Sequence, residues 1–137
     1  MTITSLSRSI FLLAVAAAFS LSFMSAGPGS NWNAPPEADQ LKNPFENDKE
    51  AWKKVETTFQ TLCMICHGEK GYGDGIAGMA LTPRPANLTS EEVQKQSDGA
   101  IFWKLTNGNP PMASYKETLT EEQRWQLVKY IRYLGSK

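Results

Sequence analysis

Cys63-Met64-Ile65-Cys66-His67-Gly68 is the stretch of this 137-residue chain on which its reading turns. Two thiols spaced three residues apart lie on one turn of helix, and the residue after the second carries an imidazole. That order suits thioether attachment of both thiols to the two vinyl groups of a haem, with the imidazole turned toward the iron. Other uses of the same residues fit less well. A disulfide between Cys63 and Cys66 suits an exported protein. A thioredoxin-like dithiol uses the same spacing but needs a βαβ pattern, which the sequence lacks. A zinc site wants about four ligands, and His67 is the only histidine in the chain. The cofactor expected is one haem c with its iron, bound covalently through Cys63 and Cys66 and ligated by His67.

Working outward from the motif, Trp52, Val55, Phe59 and Leu62 recur at spacings of three and four and mark one helical face. Asp48 is a suitable N-cap for that helix, which runs into the two cysteines and stops at Gly68. Residues 68–89 are dense in Gly and Pro and read as loop. Ser90 caps a short helix over Glu91 to Gln96, and a second runs from about Asp98 to Thr106, with Ile101, Phe102 and Leu105 on one side. Asn107 to Tyr115 (NGNPPMASY) must be loop, because two prolines fix φ and remove donors. The last helix is the clearest: Thr120 and Gln123 form a capping box, Trp125, Leu127, Val128, Ile131 and Leu134 supply the apolar positions, and Gly135 ends it. No alternating strand pattern of useful length occurs. The fold class is therefore all-α with long loops. Loops of that length need a surface to pack on, and a haem is a large apolar plate.

With one histidine, the sixth iron position falls to another residue, and a thioether is the usual choice for electron transfer. Met1 and Met24 lie in the leader, and Met64 sits inside the haem turn, facing away from the iron. Met79 and Met112 remain. Met112 is favoured because Asn109-Pro110-Pro111-Met112 is stiff, and a stiff loop holds a weak bond at little entropic cost. Met79 and an open site stay as alternatives. Trp103, Tyr115 and Trp125 line the haem pocket or simply pack the core. Lys104 and Lys116 read as solvated charges.

From about residue 48 to its end the chain resembles a class I monohaem cytochrome c. The matching elements are CMICHG at 63–68, GYGDG at 71–75, NGNPPM at 107–112 and RWQLVKYIRYL at 124–134. The resemblance implies a cytochrome c-like helical domain with long loops around one covalent haem, proximal ligation by His67 and distal ligation by Met112. It also implies that the first helix, through Phe59, crosses the last near Tyr130. The family often has Gly four residues before Phe59; Val55 stands there, so the crossing is expected to be wider or shifted. A proline carbonyl is expected to accept the His67 Nδ1 proton, with Pro83 and Pro85 as candidates. The Pro-rich arm and the run from Ser97 to Arg132 look closest to cytochrome c subunits of bacterial respiratory assemblies, such as those of alternative complex III or those serving haem–copper oxidases.

The implied function is electron transfer in a respiratory chain by a carrier or a subunit of a membrane complex, not catalysis. The implied partners are redox proteins: a quinol-oxidising complex as donor and a terminal oxidase or reductase as acceptor. A peroxidase-like reading lacks the second histidine that a distal base would need. A four-helix sensor places its haem motif near the C-terminus, whereas half of this chain follows it.

The rest of the composition bounds location and partners. Residues 1–26 read as a signal peptide or N-terminal anchor: Arg8 is the positive end and Ile10 to Phe23 is uncharged and apolar, short for a spanning helix. Residues 27–47 read as a Pro/Gly/Asn-rich linker without regular structure, and 48–137 as the cytochrome domain. Export places the protein in the periplasm, or on the periplasmic side of a membrane to which the N-terminal segment ties it. The chain has 14 basic and 14 acidic residues; without Arg8, 13 face 14, a net of about −1. No basic stripe is present, so nucleic acid is excluded as a partner.

Overall fold

A computed structural model describes residues 32–137; the leader expected over 1–26 and residues 27–31 lie outside the described residues. Among the described residues there are five α-helices, α1 (Glu56–Leu62), α2 (Met64–His67), α3 (Glu91–Gln94), α4 (Asp98–Asn107) and α5 (Glu121–Gly135), with 3₁₀ turns at Pro36–Gln40, Ala51–Val55 and Gly78–Ala80. Among the described residues the sole β-type pairing is an isolated bridge between Asn109 and Met112, and no helix is long and apolar enough to cross a membrane. The fold is all-α, as the periodicity indicates.

α5 organises the core. Its start is the expected capping box: Thr120 Oγ1 accepts from the Gln123 amide at 3.2 Å, and Gln123 Oε1 accepts from the Thr120 amide at 2.9 Å. Its apolar face buries Leu127, Val128, Ile131 and Leu134 against Val55, Phe59 and Leu105. Phe59 and Tyr130 meet at the crossing with ring centroids 4.7 Å apart, and Trp52 stacks on Tyr133 at 3.8 Å. Val55 lies in the core with Phe59 and Tyr130. It is fully buried there with Ala51, and the chain over Ala51–Val55 winds as a 3₁₀ turn before the α-helix begins at Glu56. Asp48 is not the N-cap of this segment, a position Glu50 fills; the Asp48 Oδ1 accepts from the Glu50 amide at 2.9 Å and closes the turn that leads in.

α4 begins with Ser97 Oγ accepting from the Ala100 amide at 3.0 Å. It lays Ile101, Phe102 and Leu105 into the core, and Phe102 stacks on Trp125 at 3.8 Å. The structure departs from the sequence reading in the arm before residue 48. Pro36–Gln40 is a 3₁₀ turn seated on α4, where Gly99 leaves room for the Ala38 carbonyl; a Cβ on Gly99 would strike that oxygen. Asn43 is buried and donates to Asp98 Oδ2 at 3.0 Å, while its Oδ1 accepts from the Phe45 amide at 2.9 Å. Arg132 closes the joint on Asp98 Oδ1 at 2.9 Å. Lys104 is likewise no freely solvated charge. Its Nζ donates to Gln96 Oε1 at 2.6 Å and lies 5.3 Å from the Trp32 ring centre, and burial lowers its pKa against an opposing pull from Glu92.

The candidate haem site

α1 ends at Leu62 and Cys63 breaks the winding, but the turn closes at once: the Cys66 and His67 amides both donate to the Cys63 carbonyl, at 3.1 and 2.8 Å. Gly68, at φ +80°, then stops α2. Its amide donates to the Met64 carbonyl at 2.8 Å, and the carbonyls left over at the end of the turn are taken by the following loop, Ala77 N on Ile65 O at 3.0 Å and Gly75 N on Cys66 O at 3.1 Å. The Gly-rich run 71–78 is thus the backing of the haem turn.

Both thiols are free. Burial pushes the Cys63 thiol up to about 12, with the neighbouring Cys66 adding to it, so Cys63 is held protonated. His67 Nδ1 lies 3.1 Å from the Ala86 carbonyl oxygen, so Nδ1–H donates and Nε2 is left for a metal. Burial lowers the His67 pKa against the opposing effect of that bond, favouring the neutral ring that a metal ligates. The expected proline acceptors are therefore corrected: neither Pro83 nor Pro85 serves, and the carbonyl in reach belongs to Ala86. Gly73, at φ +76°, makes this possible. A Cβ there would lie 2.5 Å from Pro85 O and 3.3 Å from Ala86 O, so a side chain would enter the strip that meets His67.

Met112 sits on the other long loop. Its amide and carbonyl pair with Asn109 at 2.8 and 3.0 Å, and its half-buried side chain packs on the core. The loop is held to α4 by Tyr115 N on Leu105 O at 3.1 Å and Ser114 Oγ on Thr106 O at 2.6 Å. Tyr115 Oη reaches the Leu62 carbonyl, next to Cys63, at 3.4 Å. Met79, by contrast, is 51% exposed, and Met64 is 37% exposed, on the outer side of the haem turn. Of the aromatic residues singled out in sequence, Trp125 is a core residue, Trp103 is half-buried, and Tyr115 ties its loop to the end of α1 at Leu62. Two free thiols three residues apart and a tautomer-fixed imidazole fit the attachment points and one axial ligand of a c-type haem.

Residues 50–131 match the family model described as cytochrome C oxidase, cbb3-type, subunit III. The chain belongs to this cytochrome c family. Among solved structures, a chain of the reducing HAO-like protein complex of Kuenenia stuttgartiensis is similar, with 26% identity and a TM-score of 0.54, covering 69% of this chain and 46% of that one. This cytochrome c thus spans less than half of that neighbour. No curated protein matches. As a cytochrome c domain, the chain carries a covalent c-type haem with its iron, held by Cys63 and Cys66, and its chemistry is haem-based electron transfer. Cytochrome c domains of this kind are typically extracytoplasmic.

Ala86, Arg124 and the Asn43–Asp98–Arg132 joint escape a reading of the residues alone. Arg124 had a visible signal: it occupies a core slot on the face of Val128 and Ile131, four and seven residues on, where a charge is out of place.

Proposed function

We propose that this cytochrome passes single electrons through one haem ligated by His67 and Met112, as a carrier or a subunit of a membrane respiratory complex on the periplasmic side. The observation that carries the reading is the contrast between the two methionines. Met112 is half-buried on a loop tied to the Leu62 carbonyl beside Cys63, whereas Met79 faces solvent.

The haem supplies one reversible electron at its iron. The chain does the rest. Cys63 and Cys66 fix the plate to α2, Ala86 holds the His67 ring in one tautomer and orientation, and the Asn109–Met112 bridge limits the travel of the thioether. Ligands kept in place in both oxidation states leave little to reorganise on transfer, and a thioether with apolar burial raises the potential. Redox proteins are the partners proposed, with a quinol-oxidising complex as donor and a terminal oxidase or reductase as acceptor. The similarity to a chain from a multi-subunit redox complex supports assembly with other subunits. Residues 1–26 are proposed as the export signal or anchor.

Met112→Ala tests the ligation. The wild type is expected to be low-spin with the weak near-infrared thioether-to-ferric band, and the variant to lose that band and bind carbon monoxide. A band that survives in Met112→Ala, or a high-spin wild type, sinks the assignment. Cell fractionation separates the two modes, since a carrier washes free and a fixed subunit stays with membranes.

A further inference from the structure

Arg124 lies on the buried face of α5 at 7% exposure, and among the described residues no carboxylate comes within ion-pair distance of it. A buried guanidinium without an acid is costly unless its hydrogens are otherwise used. The hydrogen bonds it makes all come from one nitrogen and converge in one place. Nη1 donates to the carbonyls of Leu119 at 2.6 Å, Lys116 at 3.0 Å and Tyr115 at 3.5 Å. The guanidinium carbon lies 5.4 Å from the Phe102 ring, and Nε is buried without a partner. These three carbonyls belong to the descending half of the loop that carries Met112. The stretch next to Met112 is pinned elsewhere: Gly108, at φ +66°, is covered by the Ala113–Ser114 backbone, and Ser114 and Tyr115 bond to the end of α4. α4 and α5 therefore grip the loop from two sides, and the α5 grip is the Arg124 side chain.

We propose that Arg124 is a positioning residue: its guanidinium clamps the carbonyls of Tyr115, Lys116 and Leu119 to α5, and so keeps Met112 from swinging away from the iron. This rests on Met112 being the sixth ligand. A charged donor to backbone carbonyls makes bonds roughly twice as strong as neutral ones, and they lie within seven residues of the thioether. Release of the clamp frees the loop's descending half, and an outside ligand then competes more easily for the sixth position.

The test uses the matured, haem-loaded protein as wild type, Arg124→Met, Arg124→Lys and Met112→Ala. Each ferric protein is titrated with imidazole while the near-infrared thioether band is followed, and each is melted by circular dichroism. Arg124→Met is expected to keep the band without imidazole and to bind imidazole about tenfold more tightly, the equivalent of about 1.4 kcal/mol. Arg124→Lys is expected to fall between Met and wild type, because an ammonium offers three donors but from a shorter, unforked head. An Arg124→Met protein with a lower melting temperature and unchanged imidazole affinity overturns the clamp and leaves Arg124 a packing residue. If Arg124→Met does not fold, Arg124→Lys decides: tighter imidazole binding supports the clamp, and wild-type affinity overturns it. Met112→Ala keeps the two ideas apart. If that variant retains the band, the ligation reading fails first. If it loses the band while the Arg124 variants bind imidazole as the wild type does, ligation stands and the clamp falls.

Discussion

Gly73 is where a single side chain would reach the iron's surroundings without touching a ligand. Its φ of +76° suits glycine alone, and a Cβ would stand 2.5 Å from the Pro85 oxygen. Gly73→Ala is expected to cost about 1–3 kcal/mol of stability from backbone strain, readable as a lower melting temperature. It also pushes the strip carrying the Ala86 carbonyl away from His67. A ring that loses its Nδ1 acceptor is a poorer donor to ferric iron, so the reduction potential is expected to rise. An unchanged potential in a destabilised Gly73→Ala protein means that the Ala86 bond does not tune the metal. At this scale the sequence carries what side chains do and not what backbone does. The thiols and imidazole announce themselves by type and spacing. The His67 acceptor is a main-chain oxygen, which any residue could supply, and which carbonyl arrives depends on how the 68–89 loop folds back, a path with no periodicity to read.

Helices with strong local signals formed where their caps indicated. Thr120 with Gln123, Ser90 and Ser97 each close the first turn of α5, α3 and α4 through their own hydroxyls. The arm before residue 48 had no such signal, because Pro, Asn and Gly describe a loop and a 3₁₀ turn equally well. Its docking is set by tertiary partners: the gap above Gly99 and the polar pair Asp98–Arg132 that receives Asn43. The arm is therefore part of the domain's stability. Asn43→Ala removes a buried amide that serves Asp98 and the Phe45 turn and is expected to cost about 1–3 kcal/mol. In a domain of about 100 residues each kcal/mol moves the melting temperature by roughly 4–8 °C. A chain cut to residues 48–137 should lose at least as much as Asn43→Ala. Equal melting temperatures for the cut and full chains, both loaded with haem, would show that the arm only rests on α4.

For the molecule as a whole, the question is what the two long loops stand on. The helices carry a true core, in which α5, the 51–62 segment and α4 bury their apolar side chains together. The surface around the haem turn is different: Ile65, Tyr72, Ile76 and Met79 are between 51% and 78% exposed, an unusual concentration of apolar side chains on one stretch. Loops of this length with little regular structure are kept in shape by what they wrap. The covalent haem is therefore expected to order residues 68–89 and 107–119 far more than it orders the α1–α5 crossing. Cys63→Ser/Cys66→Ser, which blocks attachment, should retain much of the helical circular dichroism. It should unfold less cooperatively than the holoprotein and lose amide-exchange protection first at Gly73, Ala77 and Leu88, whose amides hold the loop to the haem turn and to itself. Protection at Val128 and Ile131 should outlast it. If instead loop and α5 amides lose protection together, the haem is a nucleus for the entire fold, and the helical core does not stand without it.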